Sequence, residues 1–150
     1  MNGNECMIWL WIQSIRKRLE DLVIENKVSD KVSFTGSLKR EELLSFISGS
    51  SLFVLPSSFE SFSFQLVEAM MLGSTVVALD AGNLNEIIKN GENGVLIEKT
   101  KIENLPEILN SLLDDEGLRS KLSSSAKEDS KKFSIEKTVD EVENIFKKLL

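Results

Sequence analysis

The chain has 150 residues, 41% of them hydrophobic, which suits one domain with an ordinary packed core. Its net charge of −6, with the basic residues spread along the chain, argues against nucleic-acid binding. Histidine is absent and Cys6 is the single cysteine, so His-based nucleophilic triads, the usual zinc sites and an internal disulfide are excluded. Acid–base or electrostatic chemistry therefore falls to carboxylates, lysines, hydroxyls or backbone amides.

The N-terminal stretch permits two interpretations of "MIWLWIQSIRKRLEDLVIENK". Aromatic and β-branched residues favour a short strand at 8–12 that runs into a helix, whereas the lack of any turn residue favours one long helix. We favour the helix. The apolar run at its start is far shorter than the roughly 20 residues of a membrane span, and no basic segment precedes it. This predicts a cytoplasmic protein without a secretory signal.

From residue 31 onward, strands and helices alternate. Short apolar runs bounded by Gly, Ser, Asp, Asn or Pro predict strands at 31–36, 51–57, 74–80 and 93–98. Helical patterns lie between them in "LKREELLSFISG", "SFQLVEAMMLG" and "LNEIIKNG". Such alternation predicts an α/β fold with a parallel sheet buried on both faces.

After residue 100 the pattern becomes wholly helical and predicts three helices that cover the sheet. Ser134 is the expected N-cap of the last one. There is no repeat, low-complexity segment or internal linker, which predicts a single domain over residues 1–150.

Two isolated glutamates lie in the apolar segment 57–79. Glu60 falls in the loop after a predicted strand, where ligands bind in open parallel sheets, and Glu68 falls inside the following helix. A buried carboxylate needs partners, and a sugar 1,2-diol would supply two hydroxyl donors to Glu68. Two alternatives stay open: an exposed loop carboxylate for Glu60, and a narrow solvent-facing stripe shared with Gln65 for Glu68.

The start of the same helix is a predicted anion site. Free backbone N–H groups of the first turn, around Ser61 to Phe64, would point outward, and the helix dipole would reinforce them. The hydroxyls of Ser61 and Ser63 would cap the helix or add donors. A phosphate group fits this arrangement.

The segment 56–97 carries a resemblance to a known family in "PSSFESFSFQLVEAMMLGSTVVALDAGNLNEIIKNGENGVLI". It resembles the nucleotide-sugar-binding segment of glycosyltransferase family 4, retaining enzymes of the GT-B fold, and a weaker match extends upstream over almost the whole chain. The resemblance implies a Rossmann-like parallel sheet flanked by helices. This would be the C-terminal half of a GT-B fold, truncated at its N-terminus, with the acceptor-binding domain absent.

The resemblance also implies roles for individual residues. Glu60 would face the donor sugar near its anomeric carbon as the catalytic residue, and Glu68 would hold the ribose hydroxyls. The distal phosphate would be held by a run of backbone amides at Phe62, Ser63 and Phe64.

A second loop would line the same cleft through Gly82 and Glu86. For Glu86, a carboxylate on the protein surface without a binding role stays open as an alternative. Two departures from the family pattern lie near the donor. Ser63 stands where the family prefers Gly, and Asn83 replaces the second glycine of a pair that begins at Gly82.

The expected function is donor binding in a glycosyltransferase that moves a sugar from a nucleoside diphosphate to an acceptor hydroxyl, in polysaccharide, lipopolysaccharide or glycolipid synthesis. No cofactor and no metal are implied. The Arg and Lys with which the family neutralises the diphosphate are missing, and the basic run 16–18 lacks their flanking motif. The isolated chain is therefore expected to be inactive.

Two alternatives stay open: a non-catalytic nucleotide-sugar-binding or partner subunit, and an inert fragment of a split enzyme. The expected partners are the nucleotide-sugar donor and a separate acceptor-binding half. Peripheral association with the inner face of a membrane, through that half, is a further expectation.

Overall fold

The computed structural model describes residues 6–8 and 15–149, which form two compact units, residues 1–43 and 44–150. The strands, in chain order, are β1 (Cys6–Ile8), β2 (Val32–Phe34), β3 (Leu52–Leu55), β4 (Thr75–Leu79) and β5 (Val95–Ile97). The helices are α1 (Arg16–Glu25), α2 (Arg40–Ser48), α3 (Phe64–Met71), α4 (Leu105–Asp114), α5 (Glu116–Ser130) and α6 (Ile135–Leu149). Short 3-10 turns cover Leu84–Glu86, Lys99–Asn104 and Lys131–Phe133.

In the first unit, a parallel pair of strands corrects the expectation of one long N-terminal helix. β1 pairs with β2 so that Cys6 lies opposite Val32, and α1 connects them. The predicted long helix began at Met7 and is wrong at residues 7–8, and residues 9–14 lie outside the described part of the chain. The local pattern was ambiguous because the hydrogen bonds that favour a strand come from a partner more than twenty residues away.

The second unit is built on a parallel three-stranded sheet in the order β3-β4-β5. Phe53 lies opposite Val76, and Ala78 lies opposite Leu96. All five residues of β4 are buried, as expected of a central strand covered on both faces. The predicted α/β fold with a parallel sheet and flanking helices is confirmed.

One face of this sheet packs against α4 and α5. Its buried cluster is formed by Val77, Leu79, Ile97, Leu112 and Leu122. On α3, by contrast, the buried side chains are Leu66, Val67, Ala69 and Met70. The core therefore anchors the strands whose following loops carry the candidate site.

The segment "LNEIIKNG" is a single 3-10 turn and not the predicted helix. Within this segment one bond of the α-helical type forms, from Ile88 N to Leu84 O at 2.8 Å. The next amide, Lys89 N, instead donates to Asn93 Oδ1 at 2.8 Å. Because this side chain replaces the backbone acceptor, the helix does not propagate past Ile88.

The last helix does not cover the sheet, contrary to expectation. Ser134 is its N-cap as predicted, since Lys137 N donates to Ser134 Oγ at 3.3 Å. Yet the described side chains of α6 are all exposed, including an apolar stripe of Ile135, Val139, Val142, Phe146 and Leu149.

None of the helices in residues 6–8 and 15–149 has both the length and the apolar character of a membrane span. The cytoplasmic location stays a prediction.

Candidate functional site

The loop after β3 carries the first glutamate. β3 ends at Leu55 and α3 begins at Phe64, so residues 56–63 form the connection at the carboxyl end of the strand. Glu60 lies in this loop and is partly exposed, while Ser61 is exposed. This places Glu60 at the edge of a parallel sheet where ligands bind in open α/β folds.

The helix α3 begins within the segment predicted to be helical, and the capping role predicted for Ser63 is confirmed. Its N-cap is Ser63, whose side chain is buried and whose Oγ accepts from Leu66 N at 3.3 Å. The first-turn amides are therefore those of Phe64, Gln65 and Leu66, so within the predicted range of Ser61 to Phe64 the first turn includes Phe64, and residues 61–63 precede it. With Leu66 N capped, Phe64 and Gln65 supply the N–H groups that helix geometry leaves without an intrahelical acceptor.

The serine at position 63 therefore has a structural role. Its hydroxyl caps the helix by accepting from Leu66 N. Because the residue as a whole is only 4% exposed, the side chain adds no exposed polar group. The side chain that departs from the family's glycine is accommodated inside the turn.

A close backbone approach joins two loops of the site. Gly82 adopts φ +59°, and a Cβ built on it would lie 1.5 Å from the backbone oxygen of Glu60. Only glycine fits there, because it has no Cβ and readily takes positive φ. Asn83 has an ordinary φ of −101°, so the second departure from the glycine pair introduces no backbone strain. The loop after β4 is thus pressed directly against the residue that carries the candidate catalytic carboxylate.

Glu68 lies one helical turn after Phe64 on α3. It is partly exposed, between the buried Val67 and Ala69, and Gln65 is partly exposed three residues earlier. A carboxylate in this position is reachable from solvent, so both the ribose-binding hypothesis and the solvent-facing stripe are compatible with the geometry.

Glu86 ends the 3-10 turn after Gly82 and is exposed. Its backbone oxygen accepts from Lys132 Nζ at 3.3 Å. The expected helix start at this position is wrong, since the turn ends there. Its place in a donor cleft stays a prediction.

A groove beside the start of α3 was missed by sequence reasoning. It encloses about 540 Å³ and is lined by Phe62, Phe64, Val67, Lys132, Phe133, Thr138 and Glu141. The ring of Phe62 makes edge contacts with Phe64 at 5.1 Å and with Phe133 at 5.7 Å, between centroids. Phe133 is about seventy residues away along the chain, so only the two exposed phenylalanines around Ser63 hinted at it.

The described residues contain no group of three or more His, Cys, Asp or Glu side chains that could hold a metal ion. The site offers backbone amides, carboxylates and a lysine. Such groups can orient a sugar and bind an anion by hydrogen bonding.

Solved structures that share the fold of this chain identify the class of protein. The C-terminal domain of LpcC, a glycosyl transferase group 1 family protein from Francisella tularensis, is 28% identical and superposes with a TM-score of 0.74 over 82% of this chain and 64% of that domain. The HepE protein of Anabaena, solved in complex with UDP, shares the fold with a TM-score of 0.85 over 96% of this chain and 41% of its own, at 23% identity. The fold is the Rossmann-like α/β half of GT-B glycosyltransferases.

The family follows from the sequence match. Residues 13–129 match the family described as Glycosyl transferases group 1, and the chain belongs to it. An uncharacterized glycosyltransferase of Methanocaldococcus jannaschii, MJ1178, is 37% identical over 133 residues, which are 89% of this chain and 38% of the relative. The alpha-D-kanosaminyltransferase of Streptomyces kanamyceticus is 28% identical over 89% of this chain and 35% of its own length. The chain thus spans little more than a third of these relatives.

Proposed function

We propose that this chain is the donor-binding domain of a retaining glycosyltransferase of family 4. The observation that carries the proposal is the contact of Gly82 with the backbone of Glu60, beside the uncapped amides that open α3. A carboxylate, an anion-binding helix end and a second loop then lie along the carboxyl edge of one sheet. This is the arrangement that a charged, sugar-bearing diphosphate requires.

In the proposed reaction, the bond from the anomeric carbon to the diphosphate oxygen breaks and that oxygen keeps the electron pair. A bond from the anomeric carbon to an acceptor hydroxyl oxygen forms, and the proton of that hydroxyl passes to the departing diphosphate. Glu60 orients the sugar and stabilises the positive charge that develops on its ring. The amides of Phe64 and Gln65, supplemented by those of Phe62 and Ser63 in the preceding loop, bind the distal phosphate and favour its departure. Glu68 accepts hydrogen bonds from the ribose hydroxyls.

The acceptor would be bound by a separate half of the enzyme, since the chain spans 38% of the length of its relative MJ1178. The proposed products are polysaccharides, lipopolysaccharides or glycolipids, and peripheral membrane association would come through that other half.

A partner-subunit role is the second candidate, favoured by the exposed apolar stripe of α6. Ile135 is 78% exposed and Phe146 is 61% exposed. An apolar helix face of this kind is typical of a protein–protein contact. In this role the chain would bind nucleotide sugar, or only its partner, without catalysing transfer. An inert fragment of a split enzyme would bind neither.

A thermal-shift panel of UDP-, GDP- and ADP-sugars tests donor binding, because a ligand that binds the folded chain raises its melting temperature by mass action. The proposal expects a saturable shift with at least one donor that Glu68→Gln reduces. The matched control Glu107→Gln makes the same change at an exposed carboxylate of α4 and should leave the shift unchanged. No shift with any donor, at concentrations up to the millimolar range, would contradict the proposed function.

A further inference from the structure

Within residues 6–8 and 15–149, the contacts of Lys132 are with neutral groups, which leave its charge without a carboxylate partner. Its Nζ donates to the backbone oxygen of Glu86 at 3.3 Å and lies 4.7 Å from the centroid of the Phe133 ring. A carbonyl and an aromatic face orient an ammonium group without cancelling its charge.

The neighbouring lysines differ in this respect. Lys131 forms an ion pair with Glu128, and Lys89 lies 3.6 Å from an oxygen of Asp129. In those two cases the positive charge is matched by a carboxylate of the same unit. The exposed Lys132 occupies a place where its described contacts are neutral, so its charge stays available to bind an anion.

That place is the groove beside the start of α3. Lys132 lines it together with Phe62 and Phe64, the residues on either side of the N-cap Ser63. Of the residues that line this groove, Lys132 carries the positive charge and Glu141 the negative one. Glu60 and Glu86 add further carboxylates to the adjoining loops. A diphosphate in such surroundings needs a cation, because helix amides alone leave most of its charge without compensation.

We propose that Lys132 is a side-chain cation that binds the distal phosphate of the nucleoside diphosphate, an inference that rests on the proposed function. The four-carbon stem is flexible, so the ammonium group can exchange the carbonyl of Glu86 for a phosphate oxygen at the mouth of the groove. The hydrogen bond to Glu86 positions it there in the free protein. This cation belongs to the segment that leads into α6.

The test measures the affinities of UDP, GDP and ADP, and of UMP, GMP and AMP, by calorimetry with the full chain and with Lys132→Gln. For the diphosphate that binds the parent, the variant should bind about fivefold to tenfold more weakly, a reduction typical of one partly screened charged hydrogen bond. The monophosphates should change less, because they lack the distal phosphate. Lys132→Arg should retain most of the affinity.

The matched control is Lys131→Gln, which removes the same charge from the adjacent residue and should leave affinity within about twofold. Glu141→Gln, which removes the carboxylate of the groove, should strengthen diphosphate binding. If the parent binds a diphosphate and Lys132→Gln binds it equally well, or if both lysine variants lose the same amount, the inference is wrong while the proposed function stands. If no diphosphate binds the parent, both are overturned.

Discussion

Replacement of Gly82 by alanine should break the contact that joins the two loops of the site. The new Cβ would lie 1.5 Å from Glu60 O and 2.7 Å from Glu60 C, whereas real Cβ atoms stay beyond 3.0 Å. One loop must therefore move by about 1.5 Å, which places the cost among the larger effects of single substitutions, at roughly 2–4 kcal/mol of unfolding free energy. Of this, the strain of alanine at φ +59° accounts for about 1 kcal/mol.

The same chain offers a control for the backbone strain alone. Gly91 has φ +77° and nothing within 4 Å of a built Cβ, so Gly91→Ala should cost about 1 kcal/mol from conformation only. Urea denaturation of both variants measures the difference. Equal destabilisation by the two substitutions would refute the reasoning, because the clash with Glu60 would then contribute nothing.

The Gly82→Ala variant should also separate stability from function. The loop movement of about 1.5 Å displaces the carboxylate of Glu60 from the sugar that it is proposed to orient, and a misplacement of about 1 Å already costs up to about a hundredfold in rate where reacting groups must be aligned. Nucleotide-sugar binding by the folded variant, measured well below its melting temperature, should therefore fall more than binding by Gly91→Ala.

The remaining predictions concern binding, the buried polar network and catalysis. Glu68→Gln should weaken nucleoside-diphosphate binding by about tenfold to a hundredfold, as expected for charged hydrogen bonds to the ribose, with a smaller effect on folding. Glu60→Gln should leave binding of the bare nucleotide unchanged and weaken only binding of the sugar-bearing donor. Calorimetric affinities for both ligands distinguish the two variants. Asn93 is 1% exposed; its side-chain oxygen accepts a hydrogen bond from Lys89 N, and its side-chain nitrogen donates to Ile87 O and Asp129 Oδ2. Asn93→Ala should therefore cost about 2–3 kcal/mol of unfolding free energy, measured by urea denaturation, whereas a loss below about 0.5 kcal/mol would mean that water replaces the amide. Donor binding should persist in EDTA, and restoration of a lost affinity by manganese would contradict this. The purified chain should show no turnover with a plausible acceptor, and measurable transfer without a partner would refute the need for a second half.

Strand positions and the sites of both glutamates were predictable from the sequence. Runs such as "LFVL" and "TVVAL" are short, β-branched and bounded by turn residues, and they form β3 and β4 where expected. The serine that caps α6 was equally visible. These features depend on neighbours within about ten residues, so the local pattern contains the information that specifies them.

Features that depend on long-range contacts were not predictable in this way. A strand at residues 6–8 depends on pairing with β2, and the loss of the helix after Leu84 depends on the side chain of Asn93. The exposure of α6 was missed because an amphipathic pattern shows which face is apolar and not what covers it.

The sequence by itself determined the parallel α/β plan, the loop that holds Glu60, the helix that holds Glu68 and the likeness to a glycosyltransferase family. Only the tertiary structure decided that Gly82 touches the backbone of Glu60 and that Lys132 reaches the carbonyl of Glu86. The physical reason is distance along the chain. Periodicity and turn chemistry act between near neighbours, whereas a site forms where loops separated by twenty to seventy residues are brought together by the packing of the sheet and its helices.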